Sequence, residues 1–101
     1  MYIVDSTVTV PEEKADELIE IYQKRSRSVD KWEGFRSFQL LQNDKRPGEL
    51  TVHMEWESKE DYMKWATSEE FQKIHELEKN YPDQELANIP PKVKKYKVVA
   101  E

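Results

Sequence analysis

The chain has 101 residues, 37% of them hydrophobic and 37% charged, with 21 acidic residues against 16 basic and a formal net charge of −5. That length suits one domain, residues 1–101, with one substantial core, and the acidic balance gives no electrostatic case for nucleic acid or an anionic membrane. With no cysteine, disulfides, thiolate nucleophiles and cysteine-held metals are all excluded.

Residues 2–10, YIVDSTVTV, are rich in β-branched side chains and predict a strand. Tyr2, Val4, Ser6, Val8 and Val10 fall on one face, and Ile3, Asp5, Thr7 and Thr9 on the other. Pro11 suits the first turn of a helix, with Glu12 and Glu13 favourable at its positive end. Ala15, Leu18, Ile19 and Tyr22 then recur at helical spacing as a buried stripe, and Lys24 and Arg25 stand near the negative end. Residues 28–34, SVDKWEG, form a connection closed by Gly34.

FRSFQLLQ (35–42) and ELTVHMEWE (49–57) are joined by the turn-rich NDKRPG and predict a hairpin. In its second strand Leu50, Val52, Met54 and Trp56 share one face, and Thr51, His53 and Glu55 the other. Residues 59–66 and 69–79 are helical in pattern, 80–91 irregular, and VKKYKVV (93–99) a last strand. The order β-α-β-β-α-β is the α+β, ferredoxin-like arrangement, an antiparallel sheet with helices on one face. The other face needs cover, and a second copy of the chain is the simplest cover, so a homodimer is expected. No apolar run nears the roughly 20 residues of a membrane span. The opening MYIVDSTVTV also lacks the basic start and long apolar segment of a leader, so a cytoplasmic protein is expected.

The stretch KWATSEEFQKIH (64–75) holds Trp65 and, ten residues on, His75. One continuous helix would leave those side chains on different faces. Thr67, three residues before Glu70, matches a capping box, and Ser68 is an equally acceptable cap. A start signal inside a helical pattern predicts two helices with a bend that turns both rings towards the sheet. Phe71, Ile74 and His75 fall at i, i+3 and i+4, which puts His75 on the apolar edge. Two readings of His75 stay open on spacing alone: a core-edge imidazole bonded to backbone, or a ligand or catalytic group. Trp65 reads first as core. His53, beside Thr51 and Glu55, reads as a dimer contact or a solvated side chain. There is no glycine-rich phosphate loop, no histidine pair spaced for a metal, and no evident nucleophile triad.

WEGFRSFQLL (32–41), HMEWESKEDYMKW (53–65) and SEEFQKIH (68–75), with Trp65 and His75 ten apart, resemble the antibiotic-biosynthesis-monooxygenase superfamily. Within it, the IsdG-type haem-degrading monooxygenases are the nearest likeness. The resemblance implies a ferredoxin-like domain whose two copies join into a dimeric α+β barrel, with haem bound between sheet and helices. It implies His75 as axial ligand to the haem iron, with Trp65 pressing on the porphyrin and Phe71 beside it. Haem would be both substrate and cofactor, opened oxidatively to release iron with electrons from an external donor. The family's distal asparagine falls at Ser6, whose shorter hydroxyl keeps a donor on that face. Two other functions stay open: a cofactor-free monooxygenase acting on a quinol-like aromatic, with His75 as base or donor, and a non-catalytic haem-binding or stress-associated dimer.

Overall fold

The structure, a computed structural model, describes residues 1–25, 27–79 and 84–101. β1 (Tyr2–Thr9) leads through a 3-10 turn at Glu12–Lys14 into α1 (Ala15–Gln23). A second 3-10 turn, Ser28–Lys31, precedes the hairpin of β2 (Phe35–Gln42) and β3 (Glu49–Trp56). α2 (Lys59–Ala66), α3 (Glu69–Lys79), the single turn α4 (Gln84–Ala87) and β4 (Lys92–Lys97) complete the chain. The sheet order is β2-β3-β1-β4 with every pair antiparallel, the ferredoxin-like topology that the alternation of elements predicts.

Several boundaries differ from the pattern. The turn at Pro11 is 3-10, so the α-helix proper begins at Ala15. β4 ends at Lys97, leaving Val98 and Val99 outside it, and Glu57 lies outside β3. Within the stretch expected to be irregular, residues 80–83 fall outside the described residues, while Gln84–Ala87 form a helical turn. That turn buries Leu86 against α1 and β3 side chains, an apolar anchor that local pattern does not weigh.

Cross-strand register sets which residues share a face. Val4 lies opposite Met54, Ser6 opposite Val52 and Val8 opposite Leu50, all on the helix-covered face. Core side chains there fall into two clusters. One gathers Val4, Val29, Met54, Trp56, Tyr62 and Trp65; the other gathers Val10, Ala15, Leu18, Leu50 and Leu86. Leu50 and Trp56 have no solvent exposure at all, so each cluster has its own fully dehydrated centre.

Gly34 shows why WEGF needs its glycine. Its φ is +82°, and a Cβ there would run into the Asp61 carboxylate, while its carbonyl accepts the Glu57 N–H at 2.8 Å. On the open face, Asp5 Oδ1 meets His53 Nδ1 at 2.6 Å, the Thr7 and Thr51 hydroxyls meet at 2.8 Å, and Ser37 Oγ donates to Glu55 Oε2 at 2.6 Å. No helix among the described residues is long and apolar enough to cross a membrane.

Candidate functional site

α2 begins at Ser58, whose Oγ accepts the Asp61 N–H at 3.1 Å, a normal N-cap. From that start Tyr62 and Trp65 fall at i and i+3 on the buried side, 7% and 6% exposed. Trp65 lies 5.7 Å from Trp56 centroid to centroid, and Tyr62 lies 6.0 Å from Trp56 and 5.7 Å from Tyr2. Burial pushes the Tyr62 phenol above its ordinary pKa, and the neighbouring Tyr2 adds to the shift. The indole nitrogens of Trp56 and Trp65 are both buried without a hydrogen-bond partner, so each ring is held by packing alone.

The two-helix expectation holds, and the break is chemically explicit. Thr67 Oγ1 donates to the Met63 carbonyl at 2.8 Å, which commits it to the last turn of α2. Ser68 Oγ donates to the Trp65 carbonyl at 2.5 Å and accepts the Phe71 N–H at 3.2 Å. Ser68 is therefore the cap of α3, and Thr67 closes the helix before it. The Phe71 ring meets Trp65 edge-to-face at 4.8 Å, and His75 meets Phe71 edge-to-face at 4.3 Å. Trp65, Phe71 and His75 thus form one continuous series.

The expectation that both rings turn towards the sheet is corrected for His75. Phe71 and Ile74 take the inward positions against the first cluster, and His75, one turn beyond Phe71, is left exposed at the rim. The imidazole is accessible at one edge and packed on a ring at the other.

Ser6 stands apart from this series. Its register neighbours are Val52 on β3 and Val93 on β4. It is half-buried on the helix-covered face and belongs to neither cluster: Val4 before it packs into the first, and Val8 after it packs on the second. Along β1 the division between the clusters falls at Ser6, while Val52 opposite it packs on the first cluster.

Two open clefts flank the sheet. One of about 360 Å³ lies under α1 at the β2 edge, lined by Ile19, Tyr22, Phe38, Leu40 and Leu50, with Arg25 stacked over Phe38 at 3.9 Å. The other, about 470 Å³, lies near the start of β1 beside Ser58, Lys59, Lys95 and Lys97. Neither is lined by Ser6, Trp65, Phe71 or His75. Among the described residues no three histidine or carboxylate side chains gather to hold a metal. A metal bound at His75 would thus have to bring its other ligands with it, as a porphyrin-held iron does.

Two features lie outside the expectations drawn from the sequence. Tyr62 was legible as the i−3 partner of Trp65, a helical spacing that marks a shared buried face. The bond from Trp32 Nε1 to Glu70 Oε2, 2.8 Å long across 38 residues, has no local signal.

Comparison with known proteins agrees with this architecture. The model of the antibiotic biosynthesis monooxygenase family matches residues 1–77. A protein of Bacillus mycoides (strain KBAB4) named heme-degrading monooxygenase is 31% identical over 90 residues, 87% of this chain and 83% of the relative. A protein of the same name from Shouchella clausii (strain KSM-K16) is 28% identical over the same shares. The solved structure of the heme degrader MhuD from Mycobacterium tuberculosis, with two hemes bound in its active site, shares the fold with a TM-score of 0.78. It is 23% identical, with 100% of this chain and 98% of that chain covered. This chain belongs to the antibiotic biosynthesis monooxygenase family.

Proposed function

From that membership we propose that the protein is a haem-degrading monooxygenase that works as a homodimer. Haem would be held between the helix-covered sheet face and α3 by His75, Trp65 and Phe71, with the Ser6 hydroxyl as a further polar group on that face. The observation that carries this reading is the placement of His75, exposed to an incoming ligand yet braced edge-on by Phe71, which is itself braced by buried Trp65. The curated relatives named above support the reaction class.

Bound haem supplies a redox-active iron and the ring that is oxidised, with dioxygen and electrons from an external donor. The protein's own part is binding and orientation. The His75 imidazole would supply the nitrogen ligand to the iron, and its contact with the Phe71 ring limits its rotation. Trp65, fixed between Trp56 and Phe71, would give a bound ring a rigid aromatic wall to pack against. Ser6 is the one polar side chain between Val4 and Val8 on that strand face, and its hydroxyl is a single donor among apolar neighbours. The open sheet face, with Ile3, Asp5 and Thr7 opposite Glu55, His53 and Thr51, is the surface a second copy covers.

Titration of the purified protein with haemin, followed by ascorbate, tests the proposal. A shift of the Soret band and its decay under reductant are expected. With no shift, oxidation of a quinol-like aromatic without cofactor replaces the proposal. A shift without decay leaves a haem-binding dimer, the result that the short Ser6 hydroxyl would favour.

A further inference from the structure

Over residues 69–76, the part of α3 that carries Phe71 and His75 rests on the core through two side chains. In α3, Phe71 and Ile74 are half-buried, while Gln72, Lys73, His75 and Glu76 are exposed. A segment held through two half-buried side chains shifts at smaller cost than a fully buried one, and any shift of residues 69–76 moves His75 relative to the sheet.

A polar bond reaches α3 from a distant and rigid part of the chain. Trp32 Nε1 donates to Glu70 Oε2 at 2.8 Å. Trp32 is itself well held: its N–H donates to the Val29 carbonyl at 3.0 Å, and its carbonyl accepts the Phe35 N–H at 3.1 Å. The turn before it is anchored by Val29, 3% exposed, and the Trp32 ring packs on the same cluster that receives Phe71 and Ile74. At the other end Glu70 is in the first turn of α3, adjacent to Phe71, whose N–H Ser68 caps. An indole offers one donor in a fixed direction, and a carboxylate acceptor makes the bond charge-assisted and directional.

We propose that Trp32 and Glu70 form a latch that sets the seat of α3 and so holds His75 in position. Both are positioning residues. The consequence for ligand binding rests on the haem reading above; the seating of α3 does not, and is measurable in the ligand-free protein. Glu70 also favours the helix through its charge at the N-terminus, a role that Glu69 shares and that Trp32 has no part in. If the latch is what matters, Trp32→Phe and Glu70→Ala must each loosen the same segment, and Glu70→Gln, which loses the charge but keeps the acceptor, must not.

The test compares Trp32→Phe, Glu70→Ala, their double variant and Glu70→Gln by amide hydrogen exchange over residues 69–76 without ligand, and by haemin titration. Trp32→Phe and Glu70→Ala should each speed exchange in that segment about tenfold and weaken haemin binding about tenfold, with the double variant no worse than either. Glu70→Gln keeps an oxygen that accepts the same bond and should stay within about threefold of wild type on both measures. The latch is refuted if both single variants exchange like wild type, or if their effects multiply in the double variant. Should Trp32→Phe fail to fold, exposed Glu70 still supplies the comparison of alanine with glutamine. If the wild type takes up no haemin, the haem reading falls alone and the exchange data decide the latch.

Discussion

Replacing His75 and Trp65 in turn should separate ligand binding from stability. His75 is exposed, and its edge-to-face contact with Phe71 is worth about 0.5–1.5 kcal/mol beyond the area it covers. A domain of this size loses roughly 4–8 °C in Tm per kcal/mol, so His75→Ala should melt no more than about 12 °C below wild type. Trp65 is 6% exposed and packs on Trp56, Tyr62 and Phe71. Truncating such a side chain to alanine costs about 3–5 kcal/mol, so Trp65→Ala should melt at least about 12 °C lower and compromise binding through the fold. Haemin titration of His75→Ala, still folded, should show affinity reduced by more than about tenfold, or about 1.4 kcal/mol. His53→Ala, altered on the opposite sheet face where His53 meets Asp5, should stay within about twofold of wild type. Circular dichroism melts and Soret titrations read both quantities. Equal haemin affinity in the two histidine variants would refute the ligand assignment, and a His75→Ala melt as low as that of Trp65→Ala would refute its rim position.

Ser6→Asn, which lengthens the donor on that strand face, should speed reductant-dependent Soret loss about tenfold with little change in affinity, and matching rates for Ser6→Asn, Ser6→Ala and wild type would make Ser6 packing alone. Light scattering at micromolar concentration should give a dimer mass, and Thr7→Lys, placed beside Thr51 on the open face, should shift it towards monomer; a monomeric wild type removes the barrel. Burial raises the Tyr62 pKa, so above the unfolded value near 10 the folded chain keeps a proton that the unfolded chain has lost. That contribution is intact below about pH 10 and is lost as pH rises further; urea midpoints should fall there less steeply in Tyr62→Phe, and an identical slope would discount the burial. Gly34→Ala should destabilise by more than about 1 kcal/mol in denaturant melts, because φ is +82° and the new Cβ meets Asp61; a neutral result would contradict that geometry.

Strand faces were the most legible feature, because side chains alternate strictly along an extended chain. Val4, Ser6 and Val8 face the helices, and Asp5 and Thr7 the open side, as two-residue periodicity dictates. The break between α2 and α3 was also local, written in the hydroxyls of Thr67 and Ser68, although which of them caps α3 depended on where each hydroxyl turned. Trp65, Phe71 and His75 were grouped as a site only by the family resemblance, since spacing alone sets Trp65 and His75 on different faces of a continuous helix. That His75 stays at the rim follows from Phe71 and Ile74 filling the space towards the sheet, a competition for volume that no spacing encodes.

What the sequence determined by itself is therefore whatever depends on neighbours a few residues away: the order of elements, the face each side chain takes, the glycine at position 34 and the hydroxyls between two helices. The rest belongs to the tertiary structure alone. Asp5 meets His53 across 48 residues, Trp32 meets Glu70 across 38, and along β1 the core divides at Ser6. Those depend on the register and docking of segments far apart in the chain, which are decided only when the apolar faces close on one another and leave each polar group the partners then within reach.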